Sequence, residues 1–407
     1  MIENLTADAL TDLLRESTRL FLPGTTGEPL ALRNRLEGHE DSLAHLSVLT
    51  NFVAGLNDFA HPVLTGAMES AGFFPASEIP AYRQIIATYS GIGRQLAQFA
   101  PDITFVPTTI PDARGYVGCG LSAEFVRDAL ETSGRVVALA NPALPRLING
   151  DLIHRDEFSA IFNDEAAPLA LASSGTAPDD IGDEIARNVV SLVDDGAAVQ
   201  CGIGKVPSLF LNHLRSKKRL RVHSGIVTES IRGLVEADSI DREFPIVCAT
   251  IAGSHAFYRW LDGREDFLLK PVRHTHSASI LSRIEKFVAV NSALQVDLLG
   301  QVNSEGFGAK PISAPGGLPE FCRAGHQSSG GCSIIALPST ASRGKRSRIV
   351  PSLASTSPVT IARTDVDFVV TEYGIADLRA KTASERAAEL VAIAHPYFRA
   401  SLIEAGP

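Results

Sequence analysis

Residues Val199–Leu214, VQCGIGKVPSLFLNHL, run from an apolar strand through a glycine loop to an amphipathic helix. A proline stands near the start of that helix, where its fixed φ is tolerated. The earlier stretch Phe21–Leu36, FLPGTTGEPLALRNRL, can be laid on it without a gap. Gly24 then falls on Gly202, Pro29 on Pro207, Asn34 on Asn212 and Leu36 on Leu214. Both copies predict one local architecture of strand, loop and helix, which points to a duplicated α/β unit.

Working outward, short runs rich in Val, Ile and Ala alternate with longer amphipathic stretches. Arg135–Ala140 (RVVALA), Phe244–Ile251 (FPIVCATI), Phe287–Val290 (FVAV), Ser333–Leu337 (SIIAL) and Phe368–Val370 (FVV) read as strands. Asp180–Val193 and Ala383–Ala394 read as helices. This alternation predicts an α/β fold of two similar open domains with mostly parallel sheets. A length of 407 residues suits two domains. The stretch Asn163–Asp180, rich in Ala, Pro, Ser and Asp, reads as a linker. The expected domains are therefore 1–180 and 181–407.

Composition removes several classes of function. The net charge of −9 disfavours nonspecific binding to nucleic acid or an anionic membrane. It also means that an anionic ligand needs a local basic pocket. No apolar run is long enough to span a bilayer. The opening stretch MIENLTADALTDLLRES lacks the basic start and apolar block of a secretory signal, so a cytoplasmic location is expected. Five cysteines without C-x-x-C spacing suggest buried thiols, with neither a disulfide framework nor a zinc site.

Four segments carry chemistry. The loop of Gly202, Ile203, Gly204 and Lys205 opens a helix, where backbone N–H groups favour a phosphate or a developing oxyanion; a purely structural turn looks the same. Gly316 and Gly317 can offer two amides to one oxygen, as an oxyanion hole does, or form a tight turn. The basic stretch with Arg343, Lys345, Arg346 and Arg348 could hold cofactor phosphates or lie solvated. Arg273, His274 and His276 lie close together in DFLLKPVRHTH, suited to a general base or a carboxylate clamp.

Further stretches carry a family resemblance. They are PDARGY from Pro111, NPALPR from Asn141, GDLIH from Gly150, CGIGKVP from Cys201 and NSALQVDLLGQVNSE from Asn291. IIALPST from Ile334, SRIVP from Ser347, TEYGIADLR from Thr371 and AHPYFR from Ala394 complete the set. In this order the chain resembles the acetyl-CoA hydrolase/transferase family, which includes acetate and 4-hydroxybutyrate CoA-transferases. The resemblance implies two similar domains with an active site in the cleft between them. It implies coenzyme A or acyl-CoA as substrate, no metal, a small carboxylate or other acyl acceptor, and a homodimer or other homo-oligomer.

In that family a glutamate attacks the acyl-CoA and later carries CoA as a thioester. Its expected columns, in the stretch before Asn291, hold Leu268 and Arg273 here, with Glu265 and Asp266 upstream. Cys332 replaces a basic residue usual in the family. The expectation is therefore an acyl-CoA enzyme with a reworked site. Either Glu265 or Asp266 has taken the nucleophile's place, or Arg273 binds a carboxylate while His276 acts as base for hydrolysis or another acyl transfer. A non-catalytic CoA-binding partner subunit is the other class.

Overall fold

Continuous apolar strands need cover on both faces, and a parallel sheet flanked by helices supplies it. Arg135–Ala140 is buried from its second residue onward and Cys332–Ala336 throughout. The computed structural model describes residues 3–79, 81–171, 180–308 and 310–407. It forms two compact units, one of Met1–Ser173 and Val247–Thr275, the other of Ser174–Ile246 and His276–Pro407.

The first unit holds β1 (Glu3–Asn4), β2 (Arg19–Leu22), β3 (Ser47–Thr50), β4 (Glu69–Gly72), β5 (Arg83–Gln84), β6 (Ile103–Thr108), β7 (Arg135–Ala140) and β8 (Ala160–Asn163). They form one sheet in the order β1-β8-β7-β6-β2-β3-β4-β5, and every pair is parallel. The helices that concern the site are α1 (Leu30–Leu36), α2 (Ile92–Phe99) and α3 (Val126–Thr132).

The second unit holds β9 (Ala198–Cys201), β10 (Arg221–Val222), β11 (Phe287–Asn291), β12 (Cys332–Ala336), β13 (Phe368–Thr371) and β14 (Gly374–Asp377), in the order β10-β9-β11-β12-β13-β14. Only the last pair is antiparallel. Its relevant helices are α4 (Lys205–His213), α5 (Ala278–Leu281) and α6 (Leu318–Gln327). Phe287, Ile334 and Ile335 are fully buried at its centre, each worth roughly 1.5–3 kcal/mol of transfer free energy.

The units differ from two uninterrupted halves cut at 180. Residues 247–275 return to the first unit because their backbone groups find partners there. Ala123 N–H donates to the Ala249 carbonyl at 2.9 Å, Ile251 N–H to Leu121 at 2.8 Å, and Val272 N–H to Glu124 at 2.9 Å. Of the expected linker, Asn163 ends β8, and residues 172–179 lie outside the described residues.

The two sheets repeat one plan. The strand entering the glycine loop (β2 or β9) has the next strand (β3 or β10) on one side. The later strands (β6, β7, β8 or β11, β12, β13) extend on the other. The segments matched by sequence thus occupy the same place in each sheet.

Candidate active site

In an open parallel sheet, ligands bind at the carboxyl ends of the strands where the strand order reverses. In the second unit this point lies between β9 and β11. Gln200, in β9, and Asn291, at the end of β11, clasp each other's amides at 3.0 and 3.3 Å. The loop beyond β9 is open, with Gly202 half-buried and Ile203 and Gly204 exposed. Gly204 caps α4 at φ 124°, a conformation that requires glycine. The matching loop of the first unit is closed: Thr25, Thr26, Gly27 and Glu28 are all buried. The open crevice is therefore the one in the second unit.

After β11 the chain reaches Gly316 and Gly317, immediately before α6. Gly316 has φ 56° and open space where a β-carbon would stand. A β-carbon on Gly317 would lie 2.4 Å from His276 Nε2 and 3.0 Å from Phe321 Cε2. One on Gly225 would lie 2.9 Å from His276 Cε1 and 3.0 Å from Nε2. The imidazole is thus wedged against two glycine backbones, and its ring centroid is 4.6 Å from that of Phe321. Gly316 and Gly317 are both half-buried.

His276 is 3% exposed. Burial, and then the charge of His223, lower its pKa to about 3. Its imidazole is neutral at physiological pH and far weaker than a base poised near 7. At the position where the sequence suggests a base stands a buried, neutral imidazole.

Other expected site residues fall elsewhere. Glu265 is exposed in the first unit, and its carbonyl accepts from Asn149 Nδ2 at 2.6 Å. Arg273, also exposed in the first unit, pairs with Glu131 at 2.8 Å. Asp266 is paired with Arg264 at 2.6 Å, and Leu268 lies in the strand Phe267–Leu269. All four belong to the first unit, whereas His276, Gly316 and Gly317 belong to the second.

Lys345 is exposed at the tip of a hairpin, Thr340–Ala341 with Arg346–Ser347. Arg348 is half-buried and donates to the carbonyls of Ala293 at 3.0 Å and Thr340 at 3.3 Å, so it holds backbone rather than standing ready for phosphate. Lys205 opens α4. Gly225, His223 and Phe321 carried no motif; only the fold brings them beside His276. All five cysteines are free and buried, and burial raises the Cys201 and Cys322 thiols to about 12. Among the described residues no three His, Cys, Asp or Glu side chains gather as for a metal. No described helix is long and apolar enough to cross a membrane.

The fold and site define an α/β protein with a glycine-lined crevice at a strand-order reversal. Residues 73–172 match the acetyl-CoA hydrolase/transferase N-terminal domain, and residues 253–406 match the C-terminal domain. A 4-hydroxybutyrate coenzyme A transferase of Clostridium kluyveri is 30% identical, over 98% of this chain and 96% of its own. The 4-hydroxybutyrate CoA-transferase structure from Porphyromonas gingivalis aligns with TM-score 0.81 and 28% identity, covering 98% and 95% of the two chains. RipA from Yersinia pestis aligns with TM-score 0.86 and 24% identity over 97% and 95%, a likeness of fold. The chain belongs to the acetyl-CoA hydrolase/transferase family, whose members are enzymes acting on acyl-CoA.

Proposed function

We propose that this enzyme transfers an acyl group or CoA from an acyl-CoA thioester, with the acyl oxygen bound by the Gly316 and Gly317 amides. The observation that carries this is the half-buried glycine pair, with open space where a Gly316 side chain would stand, beside a buried neutral imidazole. Two N–H groups aimed at one oxygen stabilise the charge that develops when the thioester carbonyl is attacked. In this proposal the Gly202–Lys205 loop and exposed Lys345 face the cofactor's phosphates, and a small carboxylate is the acceptor. The named relative from Clostridium kluyveri supports transfer.

The proposed site is reworked relative to the family's glutamyl cycle. Supporting this, the two columns where the resemblance puts the family's glutamate hold Leu268 and Arg273, neither of which can form an acyl anhydride. The test is acyl-CoA turnover with a panel of carboxylates. CoA transfer is read as new acyl-CoA, hydrolysis as free thiol, and covalent capture as the mass change left on one peptide when borohydride reduces an enzyme-bound thioester. Gly317→Val should abolish turnover in a folded protein. Full activity in that variant, or a glutamyl adduct in the wild type, would overturn the proposal.

A further inference from the structure

The duplicated plan lets one unit interpret the other. In the first unit the residues just before α3 are Glu124 and Phe125; in the second, those just before α6 are Gly316 and Gly317. Phe125 and Gly317 are the two N-caps, at φ −118°, ψ 16° and φ −90°, ψ 5°, and neither makes a side-chain capping bond. Each helix leads into the equivalent strand, β7 or β12. Glu124 therefore stands where the second unit has Gly316.

The carboxylate of Glu124 fills the first unit's crevice. It accepts from Tyr89 Oη at 2.6 Å, Thr25 Oγ1 at 2.7 Å and Asn51 Nδ2 at 3.2 Å. Beside it remains a cavity of about 20 Å³, lined in part by Asn51 and Ser122. Tyr89 comes three residues before α2, the helix that precedes β6. His276 comes two residues before α5, the helix that precedes β11. Both rings pack on a phenyl group: Tyr89 on Phe125 at 5.6 Å and 54°, and His276 on Phe321 at 4.6 Å and 50°. The first unit thus has an aromatic donor on its own carboxylate. The second has an aromatic polar group beside a glycine pair with no side chain in that place.

We propose that His276 is a hydrogen-bond donor to the ligand's acyl or carboxylate oxygen, which in the second unit takes the place that Glu124's carboxylate fills in the first. This rests on the acyl site proposed above and names the group that completes it. In this proposal the neutral imidazole carries its proton on Nε2, the ring atom nearest the place a Gly317 β-carbon would take. It gives no proton away; the bond strengthens as charge grows on the oxygen. His223, the titratable group whose charge bears on His276, is itself buried.

Steady-state kinetics of His276→Ala, His276→Gln and Gly317→Val separate this role from the alternatives. Loss of one such donor is expected to lower kcat about 10²-fold in His276→Ala. His276→Gln, which keeps a donor but no base, should recover most of that loss, and the wild-type kcat should show no acidic limb between pH 5 and 8. An unaffected kcat in His276→Ala with Gly317→Val inactive would overturn the donor and leave the acyl site standing. Unchanged turnover in both would remove the acyl site itself. A kcat limb near pH 6.5 that is lost in an equally inactive His276→Gln would make His276 a base and sink the inference.

Discussion

One imidazole denies a side chain to two glycines. A methyl group at Gly225 would start 2.9 Å from His276, so Gly225→Ala must displace the ring. Overpacking of this kind costs about 1–3 kcal/mol. The cost should largely vanish when His276→Ala is added, and urea unfolding of the four proteins measures the coupling. Strict additivity would mean the contact is absent. Protonation offers a second check. The folded pKa of His276 is about 3 against 6.5 for a free histidine, so below 6.5 the unfolded chain binds the extra proton. Stability from this group is present above pH 6.5 and falls by about 1.4 kcal/mol per pH unit from there toward pH 3. His276→Gln should flatten the wild-type slope by that amount between pH 6 and 4. His61, also lowered to about 3 by burial, adds a similar slope that this variant retains.

At the scale of elements, Glu124 ties together the loops after β2 and β3, through Thr25 and Asn51, and the segment bearing Tyr89. Burial pushes its carboxyl up while these donors pull it down. Glu124→Ala leaves buried donors without an acceptor and should cost about 3 kcal/mol or more. Formate or acetate should raise the melting temperature of that variant and not of the wild type. Equal shifts in both would show that the cradle does not select carboxylates. The duplication was legible in the sequence because strand, glycine loop and helix each leave a local pattern. The return of residues 247–275 to the first unit was not, since periodicity does not say which sheet a strand joins. Arg348 read as a phosphate ligand because composition counts charges, whereas in the fold two of its donor nitrogens hold the carbonyls of Ala293 and Thr340. His276 stood out by its closeness to Arg273 and His274, but Gly225 gave no signal, because its meaning is the space it leaves.

For the whole molecule, a net charge of −9 opposes a polyanionic cofactor, so local cations must hold the phosphates. Exposed Arg343, Lys345 and Arg346 are the proposed group. The KM for acyl-CoA should rise several-fold between low and 0.5 M salt, as exposed charges are screened. Alanine at all three should raise KM at low salt and remove most of that dependence. A salt response unchanged in the triple variant would place the phosphates elsewhere. The two units share one plan but divide the work: one crevice is closed by its own carboxylate and the other is lined by glycine. The most direct test is a crystal structure with a non-cleavable acyl-CoA analogue whose thioester sulfur is replaced by methylene. The account predicts the acyl oxygen about 3 Å from the Gly316 or Gly317 amide and from His276 Nε2. An acyl group seated away from Gly317, with His276 making no contact to it, would contradict the account.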